Sequence, residues 1–234
     1  PNDTHASLTK RFSVDFMQLL VANNSSLKSE KVKSMRFNGY LTVVSEYAFT
    51  YLDLIKGEKR YPAVEVTRKI FPSPDKPAFC EQYRLKNITD SPMEIMIPEY
   101  KNVYHTDAEK GVNGSYTIVV ELDASGTQTL QPGEEIEFGT SFQAFSKGKG
   151  EHEFAVSVEE ELALREQFVS KMWDNLVLET PDEAINREFA FSKIRTSESI
   201  FRTAGGLMHG PGGERYYAAI WANDESEYVA PFFP

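Results

Sequence analysis

The sequence predicts a mainly β fold, an antiparallel sandwich with helices after it. Three observations carry that expectation. From about Arg36 to Val158 apolar residues recur with a period of two, as in strands with one buried and one wet face. Turn residues interrupt the pattern at short intervals, as they do between sandwich strands. Near Val158 the period lengthens to that of a helix.

Taken in order, Phe16 to Ala22 (FMQLLVA) is short, contains Gln18 and follows a charged stretch. It reads as a strand and not as the core of a signal peptide. Tyr40 to Leu54 is rich in Val, Tyr, Phe and Thr and predicts a long strand or a bent pair. Tyr116, Ile118, Val120 and Leu122 alternate with other residues, as do Phe154, Val156 and Val158. Ile136, Phe138, Phe142 and Ala144 alternate with Glu135, Glu137, Ser141 and Gln143. Turns are expected at Lys56-Gly57, Pro72 to Asp75, Asn87 to Pro92, Asn113-Gly114 and Pro132-Gly133.

Glu159 to Leu176 predicts a helix with Leu162, Phe168, Val169, Met172 and Trp173 on its apolar face. A second helix is expected from Pro181 to about Phe201. Thr180 is the expected N-cap, with Glu183 completing a capping box. Ile185, Phe189, Ile194 and Phe201 are expected to face inward, and Gly205-Gly206 to end the helix.

A formal net charge of −10 argues against a nucleic-acid surface, which needs clustered Lys and Arg to neutralise phosphates. It likewise disfavours an anionic membrane surface, and no run is long and apolar enough to span a bilayer as a helix. The lone cysteine, Cys80, allows no intrachain disulfide and sits in a strand pattern where it is expected to be buried and inert. The four histidines are scattered and no Cys/His spacing resembles a zinc site, so neither metal nor cofactor is expected. Five Asn-x-Ser/Thr sequons occur, at Asn2, Asn23, Asn24, Asn87 and Asn113. They carry little information without a secretory context. The sequence assigns no compartment, with the bacterial periplasm or exterior as the expected alternatives.

The segment from Arg202 to Pro234 concentrates Gly, aromatic, His, Arg, Asp and Glu residues in one loop-like run. His209-Gly210-Pro211-Gly212-Gly213 lacks the Lys and Ser/Thr of a phosphate loop and follows a helix, so a tight backbone turn is expected there. Tyr216, Tyr217, Trp221, Tyr228, Phe232 and Phe233 need apolar partners. A helical domain extending beyond this chain is the expected source of those partners.

Four segments resemble a known architecture: Phe79 to Pro92, Leu130 to Phe145 with its Gln131-Pro132-Gly133-Glu134 turn, Leu176 to Ile200, and Ile220 to Phe233. In feature order they are similar to the first part of six-hairpin glycosidase-like enzymes. These are inverting glycoside hydrolases that pair an N-terminal β-supersandwich with a C-terminal (α/α)6 toroid. The resemblance implies a supersandwich over residues 1–158, a linker helix over 159–180, and the first helix and loop of a truncated toroid over 181–234. It also implies a carbohydrate substrate, a partner toroid domain, and a homo-oligomer wherever the C-terminal apolar surface stays exposed.

In such families a loop Asp after the first toroid helix acts as general acid, and the matching position is Asp224 in Trp221-Ala222-Asn223-Asp224. Burial beside Trp221 and Tyr228 would disfavour its anion and keep it protonated. Trp221 and Tyr228 would stack on sugar rings, and Arg215, Glu227 and His209 would bind hydroxyls. The partner base, roughly 6.5–9.5 Å away in an inverting enzyme, would come from outside this chain. Two other readings stay open: a glycoside phosphorylase of the same plan, and a non-catalytic carbohydrate-binding or interaction module. The competing role of Asp224 is to cap a helix or to pair with Arg215.

Overall fold

A computed structural model describes residues 14–53, 57–109, 114–203 and 206–209. The chain divides into two compact units, one of residues 12–104 and 117–163, the other of residues 1–11, 105–116 and 164–234. The boundary falls inside a helix, after Ala163.

The first unit is an antiparallel sandwich. A short helix α1 (Phe16–Leu19) precedes β1 (Val21–Ala22), β2 (Ser25–Ser26), β3 (Ser29–Phe37), β4 (Leu41–Asp53), β5 (Gly57–Pro72) and β6 (Ala78–Asn87). Then come β7 (Met93–Ile97), β8 (Lys101–His105), β9 (Thr117–Leu122), β10 (Gly126–Leu130) and β11 (Glu135–Phe145). Among the described residues one sheet has the order β3-β4-β5-β6-β11-β9-β8 and the other β10-β7-β1-β2. Every pairing with a recorded register is antiparallel, so the mainly β sandwich stands. The expected strand over Tyr40 to Leu54 is met by β4, one long strand with a bulge between Tyr47 and Ala48, and Leu54 lies outside the described residues.

Side chains at period two meet between the sheets. Val64, Val66, Tyr83, Leu85, Val120, Ile136 and Phe138 of the larger sheet pack with Ala22, Met93, Ile95, Ile97 and Leu130 of the smaller. Burying such side chains contributes about 1.5–3 kcal/mol each. Tyr83 stacks on Phe138 with ring centroids 4.9 Å apart. The opposite face of the larger sheet carries charge, with Lys33 2.9 Å from Glu46 and Arg84 2.6 Å from Glu137.

Asn87 joins two turns. Its Nδ2 donates to the Ser91 and Leu130 carbonyls at 2.9 Å, and its Oδ1 accepts from Thr89 N at 2.9 Å and Thr89 Oγ1 at 2.8 Å. That uses the full capacity of a primary amide, which is why the side chain is wholly buried. The Asn87 sequon is therefore structural. Asn23 and Asn24 form the left-handed turn of the β1–β2 hairpin, with φ of 47° and 60°.

Several expectations need correction. Phe16 to Ala22 is not one strand: Asp15 caps a helical turn by accepting from Met17 N, and only Val21–Ala22 is extended. Phe154, Val156 and Val158 do not form a strand, since residues 151–157 are irregular and Val158 opens α2 (Val158–Asp174). The second helix, α3 (Glu183–Ser197), starts later and stops earlier than expected. Its N-cap is Asp182, whose carboxylate accepts from Ala184 N at 2.8 Å, which places Glu183 at the first helical position and removes the capping box. Thr180 Oγ1 instead donates to the Asp182 carbonyl. Ile185 is half-exposed. Phe201 lies past the helix in β12 (Ile200–Thr203), which pairs with β13 (Gly206–His209). Gly206, at φ 111°, serves that hairpin and not the helix end.

The second unit holds most of α2, with α3 and the β12–β13 hairpin. Val169 and Met172 pack on Ile194, flanked by Phe168 and Trp173. Among its described residues Arg165 and Lys193 are buried charges. Arg165 donates to Glu198, which also accepts from Arg195. Lys193 from α3 reaches the backbone at the end of α2.

Candidate functional site

Five of the six residues singled out in the sequence, Arg215, Trp221, Asp224, Glu227 and Tyr228, lie outside the described residues. The sixth, His209, ends β13 opposite Ile200 and is buried. Among the described residues no group of three or more His, Cys, Asp or Glu is placed to hold a metal ion, and no helix is long and apolar enough to cross a membrane.

A groove of about 520 Å³ lies in the sandwich unit on the outward face of β9 and β11. Register explains its composition. Glu121 of β9 stands opposite Ser141 of β11, and Val119 opposite Gln143. Ile118, Val120 and Leu122 alternate to the other side, where Val120 and Leu122 join the core. The outward residues of β11 begin wet, at Glu135 and Glu137, and turn dry at Ser141 and Gln143.

The drying comes from the irregular segment 151–157. Gln143 Nε2 donates to the Phe154 carbonyl and its Oε1 accepts from Phe154 N, both at 3.0 Å. The side-chain amide thus pairs with a backbone much as a neighbouring strand would. Lys101 fastens the rim, 2.5 Å from Glu153 and 3.3 Å from Glu121. The hydrogen bond to Glu153 raises the Lys101 pKa, desolvation opposes it, and the hydrogen bond to Glu121 adds to the rise.

Asp123 closes one end. Its Oδ1 accepts from Gly139 N at 2.5 Å, and its own N donates to the Gly139 carbonyl at 3.0 Å. Gly139 must be glycine. A Cβ there would meet Val158 Cβ at 2.5 Å and Asp123 Oδ2 at 2.6 Å. The start of α2 packs against that bare backbone, with Val158 and Leu162 on Phe71 and Cys80.

Beside it Glu161, fully buried, accepts from Lys76 at 2.5 Å. Burial first, then the Glu161 charge, pushes the Cys80 thiol up to about 12. The cysteine is buried and unreactive, as the strand pattern predicts. Sequence reasoning missed the groove because its lining comes from two strands and a segment misread as a third. The usable signal was Gln143, an amide in the middle of a strand pattern.

No protein-family model matches this chain, and no curated protein matches it. A solved structure described as "Putative kojibiose phosphorylase from human microbiome" superposes with a TM-score of 0.61 at 9% identity, covering 91% of this chain and 35% of that one. The likeness shows the fold: this chain has the antiparallel β-sandwich architecture of part of that structure. It spans about a third of that structure's length.

Proposed function

We propose that this chain is part of a carbohydrate-active enzyme that breaks a glycosidic bond, with the sandwich as a structural partner of a helical catalytic domain. The observation that carries this reading is the fold likeness, which extends over 91% of the chain. The chain order supports it: sandwich, then α2, α3 and a loop rich in aromatic and carboxylate residues. In this reading residues 181–234 begin an (α/α)6 toroid. Leu176, Val177, Ile185 and Phe191 are exposed in the second unit, apolar surface of the kind a further helical domain would cover.

Asp224 is the proposed general acid. It would protonate the glycosidic oxygen as the bond to the anomeric carbon breaks. Trp221 and Tyr228 would hold the sugar ring, with Arg215, Glu227 and His209 bonding hydroxyls. Hydrolysis and phosphorolysis share this step and differ in the nucleophile, water or inorganic phosphate. The name of the similar structure favours testing phosphate first. The complete protein encoded by the reading frame that carries this chain is incubated with kojibiose and other neutral disaccharides, with and without inorganic phosphate. A glycosyl phosphate plus free sugar identifies a phosphorylase, and two free sugars without phosphate identify a hydrolase. Absence of cleavage across the panel would reject both.

A further inference from the structure

We infer that the end of the larger sheet's inner face carried by β3 is a contact surface between two copies of this protein. The inference goes beyond the carbohydrate reading and does not rest on it. Register defines the surface. Met35, Val43, Arg68 and Tyr83 are successive cross-strand partners, as are Phe37, Leu41, Ile70 and Glu81. Partners across a sheet share a face, and Tyr83 carries this one into the core between the sheets.

Along that face burial stops abruptly. Tyr83 is 1% exposed, whereas Val32 is 50%, Met35 63%, Phe37 43% and Phe79 40% exposed. The cause is a mismatch between the sheets. β3 has nine residues and β4 thirteen, but the smaller sheet ends at β2, which has two. The inner face of a sandwich sheet is apolar because a second layer covers it. Here the apolar pattern runs on past the end of that layer, and apolar surface of this kind marks an interaction site.

Charge selects the occupant. Among the described residues of the rows from Val32 to Phe79, the charged ones are Arg68 and Glu81, which pair with each other at 2.8 Å. The chain carries a net charge of −10, so two copies repel over most of their surface. This neutral apolar face meets its own copy without opposing like charges. The cations of β3 serve the other face, where Lys33 lies 2.9 Å from Glu46.

The strand itself sets the mode of contact. β3 is an edge strand, but a bulge between Val32 and Ser34 shifts its register, and Lys31 and Lys33 flank the bulge. Bulges and lysines on an edge oppose edge-to-edge pairing, so the copies meet face to face. A two-fold axis closes such a contact, with the same residues on both sides.

The test is sedimentation of the complete protein over a concentration series, together with mapping of peroxide oxidation at Met35. Wild type should pass from one copy to two as concentration rises, with Met35 oxidised when dilute and protected when concentrated. Met35→Glu sets like charges against each other across the contact and should weaken association about tenfold or more. The melting temperature of the dilute protein should be unchanged, because Met35 packs little in the single copy. Val32→Lys makes the same test from the neighbouring row and keeps it decisive if the first variant misfolds. A single copy at every concentration with Met35 oxidised throughout would overturn the inference. So would protection of Met35 in the single copy, which would put another part of the same polypeptide on the face. A dimer that both variants leave intact would place the contact elsewhere and overturn it too.

Discussion

The ammonium of Lys193 donates to the carbonyl of Leu176 at 2.9 Å. Leu176 sits in the left-handed region at φ 48°, two residues past Asp174, the last residue of α2. The same ammonium donates to the Trp173 and Asn175 carbonyls. A buried cation from α3 thus satisfies carbonyls that the end of α2 leaves open and lies at the negative end of its dipole. Desolvation lowers the Lys193 pKa.

Lys193→Met should therefore destabilise the protein. It keeps the stem but leaves three carbonyls without their shared donor, at a cost of about 1–3 kcal/mol. Urea unfolding measures it. An unchanged midpoint would show that water replaces the ammonium.

Leu176→Gly should stabilise the protein by up to about 1 kcal/mol, because glycine enters the left-handed region without the Cβ penalty. Leu176 is 59% exposed, so little packing is lost. Thermal melting distinguishes this from the loss expected if the side chain were an anchor.

Gly139→Ala should destabilise by about 1–3 kcal/mol through overpacking. The added methyl meets Val158 Cβ at 2.5 Å, and a Cβ on the first residue of α2 cannot swing aside as the end of a long side chain could. A double variant with Val158→Gly should recover part of the loss, and absence of recovery would place the strain elsewhere.

Alkaline stability follows from Cys80. Its folded pKa is raised, from 9.0 to about 12, so above pH 9 the unfolded chain loses the thiol proton while the native state keeps it. The unfolded state then binds fewer protons and stability falls as pH rises. The contribution is full below pH 9 and lost towards pH 12. Cys80→Ala should flatten the decline that begins near pH 9, before the core tyrosines Tyr47 and Tyr83, whose pKa values burial raises, add theirs. The native thiol should also resist alkylation at pH 8.

Much of the fold was legible because long strands repeat their pattern. Ile136 and Phe138 face the core while Glu135 and Glu137 face water, and β4 is the long strand that its composition predicts. The errors fell where tertiary structure overrides local pattern. Phe154 and Val156 alternate like a strand, but their segment is held by the Gln143 amide. Asp182 displaces Thr180 as N-cap because its carboxylate reaches Ala184 N, a choice between capping residues two positions apart that spacing alone does not decide. The buried stripe of α2 includes Glu161 and Arg165, which pair with Lys76 and Glu198. Partners so distant in sequence leave no periodic trace.

The central claim is that this chain belongs to an enzyme acting on glycosidic bonds with Asp224 as its acid. Turnover of neutral disaccharides by the complete protein, wild type against Asp224→Asn, tests it most directly. The account predicts cleavage by the wild type and a loss of about 10²–10⁴-fold in the variant, the usual contribution of general acid catalysis, with melting temperature preserved. Equal turnover by both proteins would contradict the assignment of the acid, and no turnover by either would contradict the enzymatic reading itself.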